Sequence, residues 1–374
     1  MTTIYLIRHA EAEGNLYRIA QGHEDGKLTR RGWEQVRALS HRFETIHIDE
    51  VYASDLYRTC ATASAIYLPK GLSLHIDPSL REVNLGTWEG KPWGEIARQE
   101  PEQFVNFSVH SHLWRVDGGE TAEEVQARLL KRVCEIAQKH DGETIAVVSH
   151  GFAIRMLLAK LQGYPLDRVG DSPQEGNTAV SLLELDDGQL RVIFRSDISH
   201  LSDISTEGKE IVRKRPSALE DGMYYRSPVF PEEEDLLRNM CAAAQKEAGE
   251  EISCGSHSST YTLFGCNGKV EPSALLQMDD NGRINVLYVE PEDRWQGLGV
   301  QLIGQAVQRA LALGKHTLQI RLRRENDAWK LFPENGFIPV EEMTEGQAIL
   351  EKELNCDDDF EKKLRGDFLQ SLSN

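Results

Sequence analysis

Arg8 and His9 follow directly on Ile4–Ile7, a run apolar enough to form a buried strand. A guanidinium and an imidazole at the end of such a strand are costly to desolvate unless something holds them there. Three other blocks carry related chemistry. "SDLYRT" sets Arg58 at the start of a helix, "LREVNLGTWEG" carries Glu82 between an apolar run and a glycine-rich loop, and "VVSHG" ends the most strand-like stretch of the chain on His150. Ligands of parallel sheets bind at the carboxyl ends of strands, which gathers Arg8, His9, Arg58 and His150 at one crevice. Asn15 and Gln21-Gly22 lie in the loop after the first strand. Two guanidiniums and two imidazoles repel one another in an empty pocket but suit a dianionic phosphoryl group. A neutral imidazole can attack phosphorus and divide a hydrolysis into two transfers. Arginine forks can neutralise the equatorial oxygens, and a nearby protonated carboxyl can give a proton to the departing alkoxide.

A second constellation lies far along the chain, in "VLYVEPEDRWQGLGVQLIGQAVQRALALG". Gly297 and Gly299 stand between a strand and a long helix, where backbone N–H groups can approach a pyrophosphate at a helix N-terminus. His110 and His112 in "VHSHLW" alternate as on one face of a strand, but no carboxylate or cysteine accompanies them. The segment reads as solvent-exposed or as a cap over substrate, and no metal site is expected. Asn177, in "GNTAVS", reads as a turn or strand-start residue supporting the first crevice.

The elements that position these residues follow from periodicity. Over 1–200, strand-like and helix-like stretches alternate, which implies an α/β sandwich. "LTRRGWEQVRALSHRF" and "GGETAEEVQARLLKRVCEIAQKH" read as helices; in the second, Thr121 and Glu124 fit a capping box, with Val125, Leu129, Val133 and Ile136 as the apolar stripe. Ser54 or Asp55 is the expected N-cap of the helix that carries Arg58, and "AVSLLELDDGQLRVIFR" reads as a hairpin turning at Asp-Asp-Gly. The polar stretch 206–222, with Pro216, reads as a linker between a first unit (1–205) and a second (223–355), which mixes helices, an antiparallel meander and a βαβ crossover. The acidic tail, 356–374, carries "DDDFEKK", which reads as a solvated face. Because the linker offers no apolar face, the two units are expected to act independently.

Length and composition fit two ordinary globular domains: 374 residues, 40% hydrophobic and 27% charged. A net charge of −18 argues against nucleic acid or an anionic membrane as partner. No apolar run approaches the roughly 20 residues of a membrane span, and Arg8, His9 and Glu11 interrupt the start too early for a secretory leader. The six cysteines are scattered without a CxxC pair, as expected of a reduced, cytoplasmic protein.

Taken in order, "LIRHAEAEGN", "SDLYRTCATA", "LREVNLGTWEG", "GGET" and "VVSHG" resemble the histidine phosphatase superfamily, with its phosphoglycerate mutase-like α/β fold, over roughly 1–200. The resemblance implies His9 as the phosphorylated nucleophile, and Arg8, Arg58 and His150 as phosphate ligands. It implies Glu82 as proton donor, and Asn15, Gln21, Gly22 and Gly151 as residues lining the phosphate or substrate. Ala10 stands where the family more often has glycine. The short passage from "LREVNLGTWEG" into a helix is similar to the phosphatase branch rather than to cofactor-dependent mutases, so hydrolysis of a small phosphorylated metabolite without a cofactor is expected, with mutase activity as the alternative.

The second constellation, together with "TLQIRLRRENDAWKLFPENGF", resembles GNAT-type N-acyltransferases over about 216–355, an α+β fold. The resemblance implies acetyl-CoA as cofactor and a small amine as acceptor. It implies Leu287 and Val289 as backbone partners of the pantetheine arm, and Arg294, Gln296, Gly297, Leu298, Gly299, Val300 and Asn326 as cofactor-binding. Three departures stand out: Phe332 occupies the slot where the family often has a proton-donating tyrosine, Asn326 sits one position late, and Pro333 interrupts the final helix. The alternative of another class is a domain that binds acyl-CoA as a sensor without catalysis. No pattern in the sequence speaks to oligomeric state.

Overall fold

The computed structural model describes residues 1–202, 204, 223–248, 260–268, 271–343, 346–354, 366 and 368–369. The expected linker and most of the acidic tail lie outside the described residues. Among the described residues, no helix is long and apolar enough to cross a membrane.

The first unit is built on a six-stranded sheet in the order β3-β2-β4-β1-β5-β6. β1 (Thr2–Arg8), β2 (Glu50–Ala53), β3 (Leu74–Ile76) and β4 (Thr144–Ser149) run parallel, while β5 (Val180–Asp186) and β6 (Gln189–Asp197) form an antiparallel hairpin at one side. That hairpin turns at Asp187-Gly188, both at positive φ (46° and 74°), as a two-residue turn matched to strand twist requires. Alternation along β1 sends Ile4 and Leu6 to one face and Ile7 to the other. The first face is covered by α6 (Ala122–Lys139) and α7 (Gly151–Leu161), the second by α2 (Arg30–Phe43) and α3 (Tyr57–Lys70). The capping box at Thr121 and Glu124 forms as expected, and all four stripe residues of α6 are buried.

Register levels the strand ends. Arg8 lies opposite Ser149, and Ala53 opposite Val148, so His9, Ser54 and His150 all emerge at one edge of the sheet. Two expectations fail nearby. The N-cap of α3 is Leu56, without a side-chain cap; Asp55 instead pairs with Arg81 (2.6 Å from Nε). His110 and His112 lie not on a strand but where α5 (Pro101–Ser108) gives way to a short 3-10 turn, Ser111–Leu113. Before them, α4 (Trp93–Gln99) and α5 bring Trp93 and Phe107 against Trp88, Phe107 also against Trp114, and Phe104 against Trp93.

The second unit is a seven-stranded sheet in the order β12-β13-β11-β10-β9-β8-β7. Its strands are β7 (Met223–Arg226), β8 (Tyr261–Asn267), β9 (Ala274–Met278), β10 (Arg283–Val289), β11 (Thr317–Arg323), β12 (Ile338–Glu342) and β13 (Gln347–Glu353). Two helices, α8 (Glu234–Ala248) and α9 (Leu298–Ala312), pack on it, and a single turn, α10 (Leu331–Glu334), precedes β12. β10 and β11 are the parallel pair, joined only at Arg283–Gln319 and Ile284–Ile320, after which a bulge bends β10 and the strands part.

The two units pack closely, although the linker sequence offers no apolar face to couple them. α1 (Glu13–Tyr17), in the loop after β1, inserts Tyr17 into the apolar cluster of the second unit, and Arg98 of α4 lies 4.1 Å from the ring centroid of Tyr224 on β7. The linker could not reveal this, because the apolar contact is carried by α1. Further along the tail, Phe368 is buried against the α2–α3 side of the first unit.

Candidate active site

His9 leaves β1 at the level edge and is 5% exposed. Its Nδ1 lies 2.7 Å from the carbonyl oxygen of Ala10. A carbonyl only accepts, so Nδ1 carries the proton and Nε2 keeps its lone pair. Burial, then the guanidiniums of Arg58 and Arg8, push this imidazole well below its ordinary range, so it is neutral at pH 7. Arg8 donates from Nη1 to the carbonyl of Glu175, while its buried Nε has no hydrogen-bond partner. A Cβ on Gly151 would stand 3.0 Å from that Nε, so the missing side chain leaves the guanidinium its place.

His150 is fully buried 5.2 Å, ring to ring, from His9. Arg58 donates from Nε to its Nδ1 at 3.2 Å, so its Nε2–H points to Ser54 Oγ at 2.7 Å. Desolvation and then Arg58 hold this imidazole well below its ordinary range too. Arg58 also donates to the chain, from Nη1 to Glu24 O (2.9 Å) and from Nη2 to Gly22 O (2.8 Å). The four residues expected at one crevice are therefore brought together.

Glu82 lies at the same edge, both carboxyl oxygens accepting N–H groups at the start of α7: Phe152 to Oε2 (3.0 Å) and Ala153 to Oε1 (2.8 Å). It is within electrostatic range of both arginines. Asn15 accepts from Ala12 N and from Asn177 Nδ2, which also donates to the carbonyl of His9. Gln21 fills the space that Gly14 and Gly26 leave open, and a Cβ on Gly22 would stand 2.2 Å from Val83 O.

Several contributors escaped the sequence reading. Asp25 accepts both close contacts from Tyr57 N (2.8 and 3.0 Å), capping α3 from a distant loop directly before Arg58. Glu89 gathers the N–H groups of Gly22, His23, Glu24 and Leu85. Its place in the quoted "LGTWEG" block was the available signal, whereas a cap from a remote loop leaves none in local sequence.

In the second unit, Gly297 has φ 97° and forms the N-cap of α9 without any side-chain cap, leaving the first N–H groups of a 15-residue helix to a ligand. Beyond Ile284, the β10 edge facing β11 is unpaired, with Leu287 and Val289 on it. A pyrophosphate and an amide-bearing arm suit these two features, so the residues fit an acyl-CoA. Leu298, Gly299 and Val300 open α9, and Gly299 faces Leu331. Two expected binders are otherwise engaged: Arg294 bonds Val289 O (2.9 Å) and Glu247 (2.5 Å), and Gln296 accepts from Asn267 (2.7 Å). Asn326 caps the turn Asp327–Lys330 through Ala328 N, and Phe332 is buried edge-on to Phe337.

Comparison with known proteins agrees with this division. Residues 4–197 match the model of the histidine phosphatase superfamily (branch 1), and residues 231–351 match that of the acetyltransferase (GNAT) domain. Phosphoserine phosphatase 1 of Hydrogenobacter thermophilus is 29% identical over 57% of this chain and 100% of its own length. A metal-independent phosphoserine phosphatase of Arabidopsis thaliana is 30% identical over 54% of this chain and 85% of its own. The solved structure of Bacillus stearothermophilus YhfR superposes with a TM-score of 0.52 at 35% identity, covering 54% of this chain and all of that one.

Proposed function

This chain belongs to the histidine phosphatase superfamily and carries a GNAT acetyltransferase domain, and from that premise we propose that it hydrolyses a small phosphomonoester through a phosphohistidine on His9. The observation that carries the reading is the His9 tautomer: Nδ1–H is bonded to Ala10 O, so Nε2 is the nucleophilic nitrogen. Nε2 attacks phosphorus, the P–O ester bond breaks, and the alkoxide takes a proton from Glu82. Water then attacks the phosphohistidine, Glu82 takes its proton, and inorganic phosphate leaves with His9 restored. The free Nε–H of Arg8 binds a phosphoryl oxygen, and Arg58 with His150 lies beneath it, supplying the charge compensation that other enzymes draw from metals. Asn15, Gln21, Gly22 and Gly151 shape the loop around the substrate. Two relatives are named phosphoserine phosphatases, so phosphoserine is the first ester to test.

For the second domain the same reading is acetyl transfer from acetyl-CoA to a small amine. The N–H groups of Leu298, Gly299 and Val300 at the start of α9 would hold the pyrophosphate of a bound acetyl-CoA, and the β10 edge at Leu287 and Val289 its arm; the cofactor would supply the activated thioester. We place the domain boundaries at 1–205 and 223–355, with the linker and tail as read from sequence. The deciding experiment is turnover of phosphoserine and p-nitrophenyl phosphate in EDTA by wild type and His9→Ala. Wild type is expected to be active and His9→Ala inactive; normal turnover by His9→Ala overturns the reading.

A further inference from the structure

We propose that α9 of the acetyltransferase domain is a positioning element of the phosphatase site, holding the loop between β1 and α2 in its working shape through Tyr17 and Glu24. The inference rests on the phosphatase reading above. One side of that loop faces the site: Asn15 meets Asn177, which holds the His9 carbonyl, and the carbonyls of Gly22 and Glu24 hold Arg58. The other side faces α9.

Tyr17 is 1% exposed, yet it and Ile19 belong to the second unit's apolar cluster and to neither cluster of the first unit. Without the second unit both side chains would lose the apolar cluster that covers them. Tyr17 sits on Gly304, where a Cβ would come within 2.5 Å of Tyr17 Cβ and 2.7 Å of Cγ. Glycine inside a helix is less favourable than alanine, and the seat of Tyr17 accounts for it here. A buried ion pair fixes the register alongside: Lys352 Nζ of β13 lies 2.5 Å from Glu13 Oε1 of α1 and 2.8 Å from Asn335 O.

The second contact runs straight to the chemistry. Gln308 of α9 meets the Glu24 side chain over Gly90, where a Cβ would stand 2.9 Å from Glu24 Oε2 and 3.5 Å from Gln308 Oε1. The Glu24 carbonyl accepts from Arg58, and Arg58 donates to His150. Three contacts thus join the acetyltransferase helix to an imidazole of the phosphoryl pocket.

Two full-length variants test this, with p-nitrophenyl phosphate as probe. Gly304→Val drives a side chain into Tyr17 and should lower kcat/KM roughly tenfold to a hundredfold, since a misplacement near 1 Å has that scale of effect. Amide hydrogen exchange over residues 13–27 should accelerate in the same variant. Gln308→Glu is isosteric and sets a carboxylate against Glu24; it should raise KM roughly fivefold, and adding Glu24→Gln, which exchanges the two partners, should restore it, a rescue that a purely structural role would not give. If Gly304→Val fails to fold, Gln308→Glu and its rescue decide. Kinetics within twofold of wild type in the folded variants would overturn the inference alone. A wild-type chain without phosphomonoesterase activity would instead remove the function it rests on.

Discussion

At the residue scale, two imidazoles and two guanidiniums are held without mutual cancellation because burial and each other's charge keep the imidazoles neutral. The kinetic consequence has a definite sign. A nucleophile whose affinity for protons is lowered stays competent as pH falls, so kcat/KM should show no loss assignable to His9 between pH 8 and 6.5; phosphoenzyme formation from p-nitrophenyl phosphate that falls along an acid limb near 6.5 would contradict this. Glu82 makes a separate prediction. Glu82→Gln should slow phosphoserine hydrolysis by roughly 10²–10⁴, the usual range for general acid–base catalysis, and slow phosphoenzyme formation from p-nitrophenyl phosphate much less, because that leaving group needs no proton. Single-turnover kinetics with both esters distinguish this from equal losses, which would mark an electrostatic role. Arg8, His9 and His150 were legible in sequence because each stands where an apolar run stops, and Arg58 and Glu82 because they lie in the blocks that resemble the family. Which nitrogen of His9 is free was not, since it depends on the Ala10 carbonyl folding back.

At the element scale, the sheet brings His9, Ser54 and His150 level through register, and apolar alternation made that much readable. The N-terminus of α3 shows where reading stopped. Ser54 and Asp55 are good capping residues, yet Ser54 Oγ faces His150 and Asp55 pairs with Arg81, leaving the cap to Asp25. Local propensity cannot see a partner that arrives through tertiary packing. Asp25→Ala should therefore destabilise the chain by about 1–2 kcal/mol, as loss of a cap does, and raise KM through the loosened Arg58. Urea unfolding measures the first and steady-state kinetics the second; an unchanged midpoint would show that the cap is dispensable. The glycine turn before α9 was likewise readable, whereas the engagement of Arg294 by Glu247 was not.

At the scale of the whole molecule, the chain places two sites on elements that touch, a relation no stretch of sequence carries, because Tyr17 and Gly304 are remote in the chain and unremarkable alone. Stability should fall in mild acid. His9 and His150 bind protons less readily folded than unfolded, and His200 is lowered to about 4 by burial and then Arg42. The unfolded chain thus takes up more protons below about pH 6.5, and folding loses up to about 1.4 kcal/mol per pH unit per such histidine. Thermal melts between pH 7 and 5 should show the midpoint dropping; a midpoint that rose would reverse the sign. Gly297→Glu should abolish acetyl-CoA binding by calorimetry, since a carboxylate at the α9 N-terminus repels the pyrophosphate and crowds its approach; normal binding would relocate that site. The central claim is the covalent intermediate on His9. Rapid acid-free quenching of wild type with phosphorus-labelled phosphoserine or p-nitrophenyl phosphate, followed by peptide mapping, should place an acid-labile, base-stable phosphoryl group on His9 and none in His9→Ala. Label on another residue, or a fully active wild type that never carries label in the pre-steady state, would contradict the account.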